Sequence, residues 1–380
     1  EILSDTHSKQ ALEQIQNEIL NYEAQAEQLV NPNEFSKIIQ KQGAVGLNAA
    51  TSMDATQYFY NFPSDKLELW FGMESERFRS PVFRQFTKER DVVLEERRLR
   101  VDNSSIGKFL EEFSLTAFES HPYRRPVIGF EQDIRRLTRA DLREFFQKHY
   151  TPSNLCFAIV GNVKAERVKE LAETYFTGFS NTAPSANKII PIEPEQKAQK
   201  DFSLKLGAEP WYAEGYHVPG INHPDSPSLQ IASSVLSGGR TSRLYRELIE
   251  KQQVAITSFF GTGFPGDKYP NLGIFYALPA PGRSLNDLQK AGNQEMYKMT
   301  QNVRADEVER VKKSARSSVF KVFQSNESMA SILAEFAVKT GDPLNAFRNI
   351  HALELVDERE VERVCGATFR EKNRTIGRII

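Results

Sequence analysis

Two stretches of this chain repeat each other at a fixed distance, and that repeat limits what it can fold into. Thr138, Asp141, Leu142, Phe145, Tyr150 and Asn154 recur in kind as Asp357, Glu360, Val361, Val364, Phe369 and Asn373, every pair 219 residues apart. Each set opens on a helix N-cap and runs along an apolar helical face. Each closes on an Asn before a hydrophobic segment that carries a glycine, Gly161 or Gly377. Agreement of type at all six positions reads as a duplicated α+β unit.

Composition divides the copies. Pro184, Pro191 and Pro194 stand among Ala, Asn, Lys and Gln, which marks 181–204 as a linker. An N-terminal domain over 1–180 and a C-terminal domain over 205–380 are therefore expected. With the second copy starting near 205, the same offset puts the start of the first near residue −14. The first domain is thus expected to be incomplete at its N-terminus, without an opening strand and helix. Residues 5–30 add a helical insertion with no counterpart in the second copy. Leu12, Ile15, Ile19, Tyr22, Ala26 and Leu29 step by three and four along it, a narrow apolar seam. Such a seam suits an arm packed on the surface or a coiled coil with a partner. Strands are expected at Tyr58–Phe62, Asn154–Val160, Tyr212–Val218, Val254–Gly261, Leu272–Leu278 and Asn373–Ile380.

Bulk properties remove several functions. The 49 Lys+Arg nearly cancel the 50 Asp+Glu, and no basic run supplies a nucleic-acid surface. No stretch approaches the ~18 apolar residues of a membrane span. The two cysteines, Cys156 and Cys365, exclude a disulfide framework and a Cys-rich zinc site. Gly261–Gly266 spells G-x-G-x-x-G but precedes another strand rather than a helix, so it is a hairpin loop and no dinucleotide fingerprint.

Two segments remain. In Glu89-Arg-Asp-Val-Val-Leu-Glu-Glu-Arg-Arg98 a helix sets Glu89 and Glu96 seven apart on one face, with Val92 and Val93 between them. Carboxylates on an apolar face need a cation or a metal; the plain alternative is a solvated helix in which Glu96 pairs with Arg100. Gly46-Leu-Asn-Ala-Ala-Thr-Ser52 has small side chains that leave its backbone approachable, as an edge strand receiving an extended peptide requires; an ordinary Gly-containing strand would look the same. None of the six histidines forms His-Glu-x-x-His or His-x-x-Glu-His.

In combination and in order, these segments resemble the M16 metallopeptidases, the pitrilysin and insulinase group that includes the mitochondrial processing peptidases. The resemblance runs on through His121-Pro-Tyr-Arg-Arg-Pro-Val-Ile-Gly129, Tyr150–Asn154, Val160–Val163 and Leu236-Ser-Gly-Gly-Arg-Thr-Ser-Arg-Leu-Tyr245. It implies two homologous LuxS/MPP-like α+β domains, each a mainly antiparallel sheet packed against helices. It also implies a zinc endopeptidase acting on unfolded peptide, with Zn2+ held by two histidines of an inverted His-x-x-Glu-His and a distant glutamate. By register that glutamate is Glu96, and Glu89 is the acid orienting a ligand histidine. Asn48, Ala49 and Ala50 map onto the strand that pairs with substrate. The inverted motif is not in this sequence, so the expectation divides: either the motif-bearing segment stands outside it, or the chain is a non-catalytic partner of an active homologue. A homodimer or a heterodimer with another M16 chain is implied, in a periplasmic or organellar compartment rather than the cytoplasm.

Overall fold

The computed structural model describes residues 6–179 and 190–380. The chain opens with α1 (Thr6–Gln28) and α2 (Glu34–Lys41), then the hairpin β1 (Val45–Thr51) and β2 (Thr56–Asn61). Helices α3 (Leu67–Arg79), α4 (Phe86–Arg97), α5 (Ser105–Ala117), α6 (Glu131–Arg136), α7 (Arg139–His149) and α8 (Ala165–Tyr175) complete the first half. The second half runs β3 (Lys200–Leu204), β4 (Trp211–Val218), α9 (Ser226–Ser237), β5 (Ala255–Phe264) and β6 (Asn271–Pro279). It finishes with α10 (Leu285–Lys298), α11 (Ala305–Val322), α12 (Asn326–Thr340), α13 (Asn345–Leu355), α14 (Glu358–Thr368) and β7 (Arg374–Ile379). Among the described residues no helix is long and apolar enough to cross a membrane.

The repeated N-caps form as their chemistry dictates. Thr138 and Asp141 close a reciprocal capping box on α7, and the Asp357 side chain accepts from the Glu360 N–H to start α14. In the second half the strands order as β3-β7-β4-β6-β5, antiparallel except for β3 beside β7. One face of this sheet carries the main core, in which Ile231, Val235 and Leu236 of α9, Leu288 of α10 and Val361 and Cys365 of α14 bury against Tyr212, Phe260 and Phe275.

The opposite face is covered by the first half. Phe109, Phe113 and Ala117 of α5, with Phe118 and Tyr123 beyond it, pack on Ala213, Leu272, Ile274 and Ile379. The sheet makes room with glycines: a Cβ on Gly215 would stand 2.6 Å from the Phe113 ring, and one on Gly377 would stand 2.8 Å from the Phe109 ring. Burying each of these rings is worth roughly 1.5–3 kcal/mol. The two halves therefore share one core through α5.

Two expectations change. Asn154–Val160 is no strand: a 3-10 turn at Pro152–Asn154 leads into residues 155–160, which join no sheet. Its counterpart β7 lies between β3 and β4, whereas no strand among the described residues flanks 155–160. Side-chain packing holds this segment instead, with Phe157 against Trp70, Phe71 and Phe176. Within the segment expected as a linker, 181–189 lies outside the described residues, and the last five residues form β3. Along the apolar seam of residues 5–30, Ile15, Ile19, Tyr22 and Leu29 are exposed.

Candidate functional site

The β1–β2 hairpin turns through Ser52–Ala55, where Ser52 N–H donates to the Ala55 carbonyl at 2.9 Å and the Ser52 hydroxyl accepts from the amides of Asp54 and Ala55. The register pairs Ala50 with Gln57, Ala49 with Tyr58 and Asn48 with Phe59. Antiparallel pairs alternate between bonded and non-bonded. Counting from the bonded Ser52–Ala55 pair, Ala49 and Thr51 aim their backbone groups away from β2. That outer edge of β1 has no strand beside it among the described residues, and Asn48, Ala49, Ala50 and Thr51 are all exposed. The register is interrupted between Val45 and Asn48, where Gly46 takes φ +72°. A bulge there twists the edge. The Asn48 Oδ1 accepts the Ala49 N–H at 2.8 Å.

Both ends of this hairpin are fastened to the second half. At the turn, the Asp54 carboxylate accepts from the Tyr123 hydroxyl and from the amides of Asp267 and Lys268, at 2.9 and 3.1 Å. At the far end, Asn61 Nδ2 donates to Glu327 of α12 at 2.6 Å. Tyr123 itself is held in a turn whose amides, at Glu119, Ser120 and His121, all donate to the Glu193 carboxylate. Burial raises Glu193, but those three donors outweigh it and keep the carboxyl below its ordinary range. His121 is buried with its Nδ1 accepting from Tyr123 N–H, and burial pushes its pKa down.

Helix α4 carries the acidic pair on its solvated side, the plainer of the two readings of that segment. Val92 is 53% exposed and Glu89 is exposed, so the Glu89–Val92–Glu96 line faces solvent rather than forming a buried apolar face. Glu96 pairs with Arg100 at 2.9 Å. The buried residue of α4 is its neighbour Arg97, which reaches both oxygens of Glu111 at 2.8 and 3.1 Å and the Gly129 carbonyl at 2.7 Å. Asp102 stands 3.4 Å away. This pins the end of α4 to α5.

The residues present do not fit a zinc ion by themselves. No group of three or more His, Cys, Asp or Glu side chains able to hold a metal occurs among the described residues, and one carboxylate bound to an arginine is no site. His217 Nε2 contacts the Ala117 carbonyl at 3.2 Å, and His223 Nδ1 accepts from the Asp225 N–H at 3.1 Å in the turn before α9, so both serve the fold. Asn48, Ala49 and Ala50 lie together on β1, and Glu89 and Glu96 lie on α4.

Sequence reading passed over Asp54, Tyr123, Arg97 and a buried carboxylate at Glu214. Glu214 is fully buried on β4 with its two oxygens accepting from Tyr212 and Tyr216. Its signal was present: Tyr, Glu and Tyr at alternate positions of a strand share one face.

Comparison with known proteins agrees with this architecture. Residues 136–315 match the family model described as the Peptidase M16 inactive domain. The zinc protease PqqE of Helicobacter pylori is 31% identical over 315 residues, covering 80% of this chain and 70% of its own length. A probable mitochondrial-processing peptidase subunit beta of Arabidopsis thaliana is 24% identical, over 88% of this chain and 64% of its own. The crystal structure of a protease from Helicobacter pylori superposes with a TM-score of 0.83 at 28% identity, covering 92% of this chain and 85% of that one.

Proposed function

Because this chain belongs to the M16 peptidase family, a family of zinc metalloproteases, we propose that it is the peptide-holding part of a zinc endopeptidase. Unfolded peptide adds as a strand along the free edge of β1, against Asn48, Ala49 and Ala50. The observation that carries this reading is that edge: a strand exposed from Asn48 to Thr51, with small side chains at Ala49 and Ala50 and the backbone groups of Ala49 and Thr51 turned outward. Main-chain pairing supplies affinity that is independent of side-chain identity, which suits a substrate without fixed structure.

Zinc, which the Helicobacter relative's name carries, has no complete set of ligands among these residues, so no hydrolytic step is assigned to them. In this reading Glu96 supplies one carboxylate and Glu89 orients a ligand, while the histidines belong to polypeptide outside residues 1–380. A strand–helix unit docked on the first half as β4 and α9 dock in the second would bring them. The open aromatic pocket between α3, α7 and β2, lined by Tyr58, Phe78, Phe83, Leu142, Phe146 and Tyr150, supports this. In the second half α9 covers the equivalent face against α14.

A second reading, a non-catalytic M16 partner that encloses or presents peptide to an active homologue, is favoured by the match of 136–315 to the inactive-domain model. Either way the working unit is a dimer, homo- or heteromeric, in an organellar or extracytoplasmic compartment. Amide exchange with and without an extended peptide tests the shared step, with slowed exchange at Ala49 and Thr51 expected. In the assembly that hydrolyses peptide, zinc lost on Glu96→Gln supports the first reading. Zinc retained assigns the chain to the second.

A further inference from the structure

We propose that the Asn48 side chain is a built-in competitor of the peptide: it occupies the Ala49 N–H and must be displaced before a strand can add to β1. This inference rests on the strand-addition reading of that edge. Three observations carry it. The hairpin register turns the Ala49 N–H away from β2, so that amide is one an incoming strand would use. The Asn48 Oδ1 already accepts that same N–H, at 2.8 Å. Asn48 and Ala49 are both exposed, so the carboxamide has room to swing out.

The chemistry has a consequence on each side. In the absence of peptide, an open edge strand invites pairing with any other chain. The self-bond closes one donor, and the bulge at Gly46–Leu47 twists the strand next to it. When peptide arrives, its carbonyl replaces a bond already made, so the first pair contributes little. Affinity then depends on the further pairs along the strand, from the Ala49 carbonyl and the Thr51 amide. The ligand class that overcomes the competitor is an extended polypeptide long enough to make several such pairs, and short or folded segments are discriminated against.

The test compares wild type, Asn48→Ala and Asn48→Asp, using a fluorescein-labelled, lysine-capped peptide of alternating threonine and valine. Fluorescence anisotropy gives the affinity, and a thermal melt checks each fold. Asn48→Ala removes the competitor and should tighten binding by about threefold to tenfold, the worth of one exposed hydrogen bond. Asn48→Asp keeps an acceptor at the same atom and should not tighten it. Equal or weaker binding by Asn48→Ala overturns the proposal, weaker binding meaning that Asn48 holds the peptide instead of competing with it. A copy of the peptide N-methylated at alternate residues separates the underlying reading from this inference. If that copy binds as well as the parent, or if the parent leaves Ala49 and Thr51 exchange unchanged, strand addition at β1 itself is wrong. Absence of peptide binding in all three proteins overturns both.

Discussion

Asn61 and Glu327 meet across 266 positions of sequence, the carboxamide of β2 donating to the carboxylate of α12 at 2.6 Å. With Asp54 at the other end, this contact makes the second half the anchor of a hairpin that belongs to the first.

Asp54 should be the stronger anchor, because its carboxylate takes one hydroxyl and two backbone amides. Asp54→Ala leaves those donors unpaired and is expected to cost about 2–3 kcal/mol in urea unfolding. Asn61→Ala should cost about 1 kcal/mol. A loss below about 0.5 kcal/mol for Asp54→Ala would show that the turn is held by the aromatic contacts of Tyr123 alone.

Arg97 is a buried cation with bidentate pairing to Glu111. Arg97→Met strands the Glu111 carboxylate and is expected to destabilise by about 3 kcal/mol, whereas the double variant Arg97→Met/Glu111→Leu should recover most of that loss. A chemical-denaturation cycle over the four proteins measures the coupling; additive losses would refute it.

Glu96→Gln should by contrast be nearly silent in stability, within about 0.5 kcal/mol, because its partner Arg100 is on the surface. An altered melting curve would mean that Glu96 has a structural role and would disqualify this variant as a probe of zinc.

Gly215→Ala should cost about 1–3 kcal/mol, since its Cβ would stand 2.6 Å from the Phe113 ring where α5 meets the sheet. Pairing it with Phe113→Leu should relieve part of the cost. No relief in thermal melts would place the strain elsewhere.

Two groups give opposite pH slopes. Burial lowers His121, while the charges of Glu193 and Asp54 act to raise it. The unfolded chain therefore takes up the proton first, and stability should fall as pH drops below 6.5, the ordinary histidine value. Glu214 is raised by burial, against the hydrogen bonds of Tyr212 and Tyr216 and the charges of Arg374 and Arg378. Its contribution is present below the unfolded value of 4.5 and is lost as pH rises through the folded one. Glu214→Gln should thus gain on wild type as pH rises above 4.5, and His121→Gln should flatten the acid limb. Urea midpoints from pH 4.5 to 8 check both; a pH-independent difference for either variant would refute its assignment.

What could be read from the sequence was local. The caps at Thr138 and Asp357, the strands around β4 to β7 and the exposed small-residue strand at Asn48–Ala50 depend on neighbours in sequence, and all are found. The expected strand at 154–160 failed because a strand is completed by what lies beside it, and nothing among the described residues flanks it. The acidic face of α4 stayed open between two readings for a related reason. Glu89 and Glu96 do share a side of the helix, but spacing cannot tell which side meets solvent, and Arg97 proved to be the buried residue. Asp54 and Tyr123 were invisible because they bond each other across 69 positions and meet the amides of 267, 268 and 269, which are more than 140 residues distant and carry no sequence signature.

The double fastening of the β1–β2 hairpin has a thermodynamic corollary. Two strands by themselves are marginal in water, so the edge proposed to receive peptide persists only while the halves stay docked through Asp54, Asn61 and α5. On that proposal linkage is reciprocal: whatever parts the halves would release a bound peptide, and a bound peptide would act as an adhesive between them. Occupancy of the edge should therefore be legible far from it, as slower opening of the shared core.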